Sequence, residues 1–180
     1  LSRIRDAAAH SDELIRDLLE YGRLSHEAVA LAPVDVRQAV EAVLRAVAGQ
    51  IQNRRARVHF GREWPRVVAN ERLLEQILTN LMTNALTYAP PDREPEITIS
   101  AESEGGKAVL RVQDNGTGIP PEQIDRVFEP FIRLPNATNA PRTGMGLGIV
   151  KKAAERLNGA VGADSTPGKG SCFWLELQAA

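Results

Sequence analysis

The chain has 180 residues, of which 43% are hydrophobic and 25% charged, with a formal net charge of −1. This length fits one ordinary domain plus a small extra element, and the charge gives no electrostatic reason to expect nucleic acid or an anionic membrane as a partner. The single Cys172 excludes an internal disulfide framework, and the sequence has no apolar run of about eighteen residues that could span a bilayer. We expect this segment to be cytoplasmic and without membrane contact, whether the parent protein is soluble or membrane-anchored.

Residues 2–24 are predicted to form one amphipathic helix. One stripe of this helix has positions spaced alternately four and three residues apart, and Leu14 and Tyr21 flank it. The stripe consists of Ile4, Ala8, Ser11, Ile15, Leu18 and Gly22. A narrow stripe of this kind, called the seam below, is typical of a coiled coil or helical bundle, and one helix cannot bury it alone. The partner is another chain, a helix outside this sequence, or the domain behind it. Because the chain begins inside this pattern, we interpret it as a piece of a longer protein.

After Pro33, helical and strand patterns alternate. Helices are predicted at 36–53, 71–88, 120–127 and 146–157. Strands are predicted at 56–60, 66–69, 96–103, 107–114, 160–163 and 172–177. Residues 132–143 have no periodicity and predict a mobile loop. The order favours an α+β fold, a two-layer sandwich of one mixed sheet with helices on one face, preceded by the long amphipathic helix.

Two motifs carry polar side chains suited to a nucleotide. Asn80 and Asn84 lie four residues apart on one face of a predicted helix, and an amide oxygen is a ligand that Mg²⁺ accepts beside phosphates and water. Asp114 ends a predicted strand and runs into Gly116 and Gly118, where a carboxylate can accept a hydrogen bond from an adenine amino group. Each motif also has a structural interpretation, as a solvated helix face or a common Asp-Asn-Gly turn.

Two further motifs follow at short spacing. Gly144, Gly146 and Gly148 open a predicted helix, whose exposed N–H groups and positive dipole end favour phosphate, although a flexible hinge has the same pattern. They match neither the dinucleotide fingerprint nor a Gly-Lys-Ser/Thr phosphate loop. Phe128-Glu-Pro-Phe131 is interpreted mainly as a loop packed into the core.

Together the four motifs resemble the ATP-binding domain of sensor histidine kinases, and the resemblance covers nearly the whole chain. It implies binding of Mg-ATP and transfer of the γ-phosphoryl group to a histidine in two-component signalling. Residues 1–32 would be the second helix of the dimerisation and phosphotransfer domain, and residues 33–180 the catalytic domain. The implied partners are ATP, a second copy of the kinase through the N-terminal helix, and a response regulator receiver domain.

The resemblance also assigns roles residue by residue. It implies Asn84 as the Mg²⁺ ligand, Asn80 as a supporting polar group near the phosphates, and Asp114 as the group that selects adenine. The other ATP-binding positions it implies are Tyr88, Gly116, Gly118, Ile119, Arg133, Arg142, Thr143, Gly144, Met145, Gly146, Leu147 and Gly148. Residues 168–173 match a segment beside the family's pocket, whereas Thr87 replaces a frequent lysine. We expect residues 132–143 to act as a lid that gains order with nucleotide.

The three histidines do not fit the family's phospho-acceptor pattern, which places a proline five positions after the histidine. His26-Glu27 begins in that way, but Pro33 is seven positions away. His10 lies in the second-helix pattern and His59 in a predicted strand. We therefore expect the acceptor upstream of Leu1, and no catalytic residue or autophosphorylation within this chain.

Three alternatives stay open. An ATP hydrolase or conformational clamp of the same fold would need a water-activating glutamate one turn before the Mg²⁺ asparagine, and Asn80 occupies that position. A non-enzymatic dimerisation or docking module would have a degenerate pocket. A serine-directed kinase of the anti-sigma type would not need the N-terminal helix.

Overall fold

The computed structural model describes residues 2–26, 28–132 and 143–180, and for 2–10, 13, 25 and 26 it describes the backbone only. The helices are α1 (Ser2–His26), α2 (Val36–Ala46), α3 (Ala48–Arg54), α4 (Glu71–Thr87) and α5 (Gly146–Arg156), with a 3₁₀ helix at Pro121–Arg126. The strands are β1 (Ala32–Asp35), β2 (Arg57–Phe60), β3 (Arg66–Ala69), β4 (Glu96–Glu104), β5 (Lys107–Asp114), β6 (Ala160–Thr166) and β7 (Gly170–Gln178).

Five of the strands form one mixed sheet in the order β2-β4-β5-β7-β6. The β2–β4 pair is parallel, and the other three pairs are antiparallel. β1 and β3 pair antiparallel in a separate two-stranded sheet. The predicted α+β fold with a mixed sheet is confirmed, and so is the hairpin that joins β4 to β5 through Gly105 and Gly106.

The core lies between one face of the large sheet and the helices α2, α4 and α5. Alternate residues of the central strands point into it, so each strand is apolar on one face only. These core residues are Ile97, Ile99, Ala101, Ala108, Leu110, Val112, Phe173, Leu175 and Leu177. α4 supplies the largest buried helical surface, with Leu74, Ile77 and Met82 fully buried. Because the same helix carries both candidate asparagines, this packing holds them in fixed positions.

Four predicted elements differ from the structure, and one strand was not predicted. The helix predicted at 36–53 is broken at Val47, which is buried with φ −100° and ψ 8°, so that α2 and α3 are separate helices. The helix predicted at 120–127 is a 3₁₀ helix. β1 was not predicted because Pro33 lies within it, and proline is compatible with such an edge position. The last two strands are longer than predicted and extend to Thr166 and from Gly170.

α1 divides into a packed flank and an exposed seam. Leu24 is buried and Tyr21 packs partly against the core, so this flank contacts the domain behind the helix. Ile15 and Leu18, which belong to the predicted seam, are both 56% exposed. The domain therefore does not cover the seam at these positions. No helix in the described ranges is both long and apolar enough to cross a membrane.

Candidate nucleotide-binding site

An open cavity lies among α1, α4, the start of α5 and the ends of β5 and β7. It contains about 880 Å³ of empty space, part of which is open solvent. Ten of the predicted site residues line it, namely Asn80, Asn84, Tyr88, Asp114, Gly118, Ile119, Thr143, Gly144, Gly146 and Leu147. The fold thus brings together residues from three of the four motifs.

Three predicted residues that the structure describes do not line the cavity. Gly116 lies behind Asp114, Met145 is fully buried in the core, and Gly148 packs on Pro130. Their contribution is to the walls and not to the surface that a ligand would touch. The predictions for Arg133 and Arg142 fall outside the described residues.

Asp114 provides a buried carboxylate at one end of the cavity. It is 9% exposed, and its Oδ1 accepts hydrogen bonds from the backbone N–H groups of Gly116 at 2.7 Å and Ser171 at 3.2 Å. Among the described residues no hydrogen bond reaches Oδ2. Burial raises the pKa of this carboxyl above its ordinary 3.8, while the two backbone hydrogen bonds act in the opposite direction. The group is therefore a fixed acceptor with one oxygen left for a ligand.

The glycines around Asp114 allow three backbone segments to approach each other closely. A Cβ on Gly116 would lie 2.6 Å from Asp114 Oδ1, and one on Gly118, where φ is +70°, would lie 2.2 Å from the Thr166 carbonyl oxygen. Neighbouring hydrogen bonds hold the same loop: Thr117 N–H donates to the Tyr88 carbonyl at 3.1 Å. These glycines serve packing of the loop, and residues 117–119 form the cavity wall.

The two asparagines of α4 face the cavity differently. Asn80 donates from Nδ2 to the Gln76 carbonyl at 3.1 Å, and its Oδ1 would lie 3.1 Å from a Cβ on Gly146. Asn84 is 7% exposed, and in the described part of the chain no hydrogen bond reaches its amide. The Asn84 side chain lines the cavity, so a bound ligand can reach its amide. Its oxygen fits a hard cation such as Mg²⁺, which accepts neutral oxygen ligands together with phosphates.

The opposite end of the cavity is formed by the N-terminus of α5. Gly144, with φ +74°, would place a Cβ 2.9 Å from the Ile132 carbonyl oxygen, so only glycine allows this approach. α5 then begins at Gly146 without an acidic residue in its first turn. The first N–H groups of a helix have no partner within it and attract anions. This end is suited to phosphate.

Phe128 and Phe131 have different environments. Phe128 is buried and packs edge to face on Phe173, with ring centroids 6.3 Å apart. Phe131 is 59% exposed with φ +66°, so the predicted core packing is wrong for this residue. Its backbone N–H donates to the Gly144 carbonyl at 3.0 Å, which ties the two ends of the predicted lid together. Of that lid, only Ile132 and Thr143 are among the described residues.

Sequence reasoning missed several cavity residues. Ser171 and Phe173 belong to the segment that the resemblance placed beside the pocket, whereas Thr117, Val127 and Ile132 adjoin predicted motifs. No sequence pattern indicated that Asp17 lines the cavity, because it lies on α1, 126 positions before its hydrogen-bond partner Thr143.

The histidines do not contribute to the cavity in the described structure. His59 lies exposed on β2 and does not line it. The side chains of His10 and His26 are outside the described residues.

Comparison with known proteins agrees with this geometry. The family model of the histidine kinase-, DNA gyrase B- and HSP90-like ATPases matches residues 69–180. The chain therefore belongs to this ATPase family. The matched range contains α4, the large sheet apart from β2, and α5, and thus nearly all of the cavity.

Relatives of this ATPase-family chain are sensor kinases. It is 34% identical over 91% of its length to the phytochrome-like protein Cph1 of Synechocystis, covering 22% of that protein. It is 29% identical over 98% of its length to the methanogenesis regulatory histidine kinase FilI of Methanothrix harundinacea, covering 20% of it. The chain thus spans about a fifth of these relatives, and its predicted resemblance to sensor histidine kinases is confirmed.

A solved structure gives the same result for the fold. The crystal structure of full-length ShkA in complex with AMPPNP superposes with a TM-score of 0.82 at 28% identity, over 99% of this chain and 38% of ShkA. The similarity extends beyond the matched family range and includes α1.

Proposed function

We propose that this chain binds Mg-ATP in the cavity and presents its γ-phosphoryl group to a histidine of a longer sensor kinase. The observation that carries the proposal is Asp114, a buried carboxylate that lines the open cavity. Both of its described hydrogen bonds fall on Oδ1. Oδ2 is then the acceptor for the adenine amino group, which guanine lacks at the corresponding position.

The remaining residues divide the nucleotide between them. The N–H groups at the start of α5 hold phosphate oxygens, helped by the positive end of the helix dipole. Asn84 holds Mg²⁺ through its amide oxygen, and the ion, when bound, neutralises charge on the phosphates. Asn80, which lines the cavity beside Gly146, is a supporting polar group near the phosphates.

Phosphoryl transfer depends mostly on positioning and charge neutralisation, so the chain needs no nucleophile of its own. The acceptor histidine and its acidic neighbour belong to a part of the longer protein outside this sequence. Hydrolysis is a weaker alternative, because Asn80 stands where a hydrolase of this fold would carry its water-activating glutamate. An amide cannot accept a proton near neutral pH.

The proposed partners follow from α1 and from the relatives. Ile15, Leu18 and Leu19 are more than half exposed and form an apolar strip that a second copy of the kinase would cover. ShkA, which this chain resembles over 99% of its length, is described in complex with AMPPNP, an ATP analogue, and this supports ATP as the ligand. A response regulator receiver domain is the proposed acceptor of the phosphoryl group from histidine.

Calorimetric titration tests the nucleotide assignment. The chain should bind Mg-ADP and Mg-ATP saturably and prefer them to Mg-GTP. Asp114→Asn should reduce the adenine preference about tenfold or more, because the amide offers less hydrogen-bond strength than a carboxylate. Asp92→Asn, at an exposed position away from the cavity, is the matched control and should behave like the wild type.

Equal affinity of the wild-type chain for ATP and GTP would contradict the role of Asp114. Radiolabelled ATP should leave the chain unlabelled, since the acceptor lies elsewhere. Acid-labile label on the wild type that disappears in His26→Ala would instead identify His26 as an acceptor.

A further inference from the structure

A side chain of α1 enters the candidate nucleotide site. Asp17 lines the cavity together with Asn80, Gly144 and Gly146. The hydroxyl of Thr143 donates a hydrogen bond to Asp17 Oδ2. A helix assigned to another domain therefore reaches one wall of the cavity through a carboxylate.

The contact lies at the end of the cavity suited to phosphate. Thr143 directly precedes Gly144, and its Oγ1 accepts a hydrogen bond from the Met145 backbone N–H at 3.2 Å. The first N–H groups of α5 follow immediately. Asp17 is thus bonded at the point where an anion would approach the helix N-terminus, whereas Asp114 lies at the other end.

α1 holds Asp17 in place by packing. One turn and two turns further along, Tyr21 and Leu24 contact the core. Glu20 is also drawn into this contact. Burial raises the pKa of the Glu20 carboxyl, and the neighbouring charge of Asp17 raises it further, while Arg72 and Arg23 lower it. The docked helix therefore brings two carboxylates close together beside the cavity.

We propose that Asp17 makes docking of α1 and binding of the terminal phosphates mutually opposed. The inference rests on the proposed nucleotide function. A phosphate at the start of α5 would meet the Asp17 carboxylate at short range, and like charges in a partly desolvated site repel strongly. Thr143 can serve only one of the two anions with its hydroxyl proton. Nucleotide with a full phosphate chain therefore displaces Asp17 and loosens α1.

Linkage makes the effect reciprocal. If the triphosphate weakens docking of α1, docking weakens binding of the triphosphate by the same factor. Adenosine, which would reach only the Asp114 end, leaves the helix in place. Asp17 is in this way a specificity-determining residue that senses the number of phosphates.

The experiment compares three chains: wild type, Asp17→Asn and Asp12→Asn. Asp17→Asn removes the charge and keeps the size, whereas Asp12→Asn makes the same change at an exposed site of the same helix. Calorimetry measures the affinity for Mg-AMPPNP, Mg-ADP and adenosine. Asp17→Asn should tighten Mg-AMPPNP about tenfold, tighten Mg-ADP less and leave adenosine unchanged. Asp12→Asn should match the wild type for all three.

A second measurement needs no variant. Hydrogen exchange of the wild-type amides at 14–24 should become several-fold faster with saturating Mg-AMPPNP and stay unchanged with saturating adenosine. Unchanged exchange with Mg-AMPPNP would overturn the inference. So would an Asp17→Asn affinity equal to that of the wild type, or a weaker one, which would make Asp17 a support for the metal. If the wild-type chain binds no adenine nucleotide, the proposed function fails and this inference fails with it.

Discussion

The two ends of the cavity are built in different ways. At the Asp114 end, loops that follow β5 and precede β7 interlock through backbone hydrogen bonds, with glycines at the closest approaches. At the α5 end, the walls come from α4, α5 and α1, and a side-chain hydrogen bond from Thr143 to Asp17 joins α1 to the segment before α5. Backbone interlocking resists displacement, whereas a side-chain contact between helices can open without disturbing the sheet. The first end is suited to selecting a base and the second to responding to phosphates.

Substitution of Gly170 is expected to have the largest effect on stability, because it disrupts the interlocked loops at the Asp114 end of the cavity. A Cβ at this position would lie 1.9 Å from the Asp114 carbonyl oxygen, at φ +112°. Gly170→Ala should lower the free energy of unfolding by about 3–5 kcal/mol, since backbone must move to relieve the overlap. Chemical denaturation of the two chains measures the difference.

Gly105→Ala is the matched control. Gly105 also has a positive φ, +60°, but a Cβ there would meet nothing within 4 Å. Its cost should be only about 1–2 kcal/mol, the ordinary penalty of the left-handed conformation. Equal costs for the two variants would mean that the Asp114 end is not closely interlocked.

The next largest effect concerns the α5 end of the cavity. Asn84→Ala should weaken Mg-nucleotide binding by roughly tenfold to a hundredfold, because a metal ligand is lost, and should leave adenosine binding unchanged. Stability should change little, since no described hydrogen bond is lost with the Asn84 amide, which lines the open cavity. Calorimetry with and without Mg²⁺ measures the effect, and Asn53→Ala on the exposed surface of α3 is the control. An equal loss for adenosine would show that Asn84 supports the whole cavity and not its phosphate end.

The smallest effect is a dependence of stability on pH that comes from the Asp114 carboxyl. The pKa of Asp114 is raised in the folded chain above 3.8. A raised folded pKa contributes stability that is fully present below the unfolded pKa and is lost as the pH rises through the folded pKa. Asparagine does not titrate and keeps an oxygen for Gly116 and Ser171. The stability of Asp114→Asn relative to the wild type should therefore increase as the pH rises through this window.

Thermal unfolding of both chains from about pH 4 to pH 7 measures this difference, since each kcal/mol corresponds to about 2–4 °C in Tm for a chain of this size. Asp92→Asn, at an exposed site, should show no such trend. A difference between Asp114→Asn and the wild type that is constant with pH would contradict the raised pKa.

The Asp114 end of the cavity and most of the fold could be predicted from the sequence, because the sequence patterns that indicate them are local. Alternating apolar residues indicated β4 and β5, and a glycine pair marked the turn between them. Asp114 and the glycines after it lie within a few residues of each other, so the motif itself carries their arrangement. The spacing of four between Asn80 and Asn84 likewise fixes their common face on α4.

Other features were decided only by tertiary packing. The helix predicted at 36–53 is interrupted at the buried Val47, although its apolar periodicity continues to Ile51. Phe131 is exposed although its motif partner Phe128 is buried, because only one of them meets Phe173.

The sequence by itself therefore determined the fold class and the residue types at the Asp114 end and the α5 end of the cavity. The tertiary structure decided which flank of α1 packs and that Asp17 reaches Thr143 across 126 positions of chain. The physical reason is that helical periodicity specifies a face but not its partner. The seam that looks most apolar in the sequence remains exposed at Ile15 and Leu18, and the flank with Leu24 is the one that the domain buries.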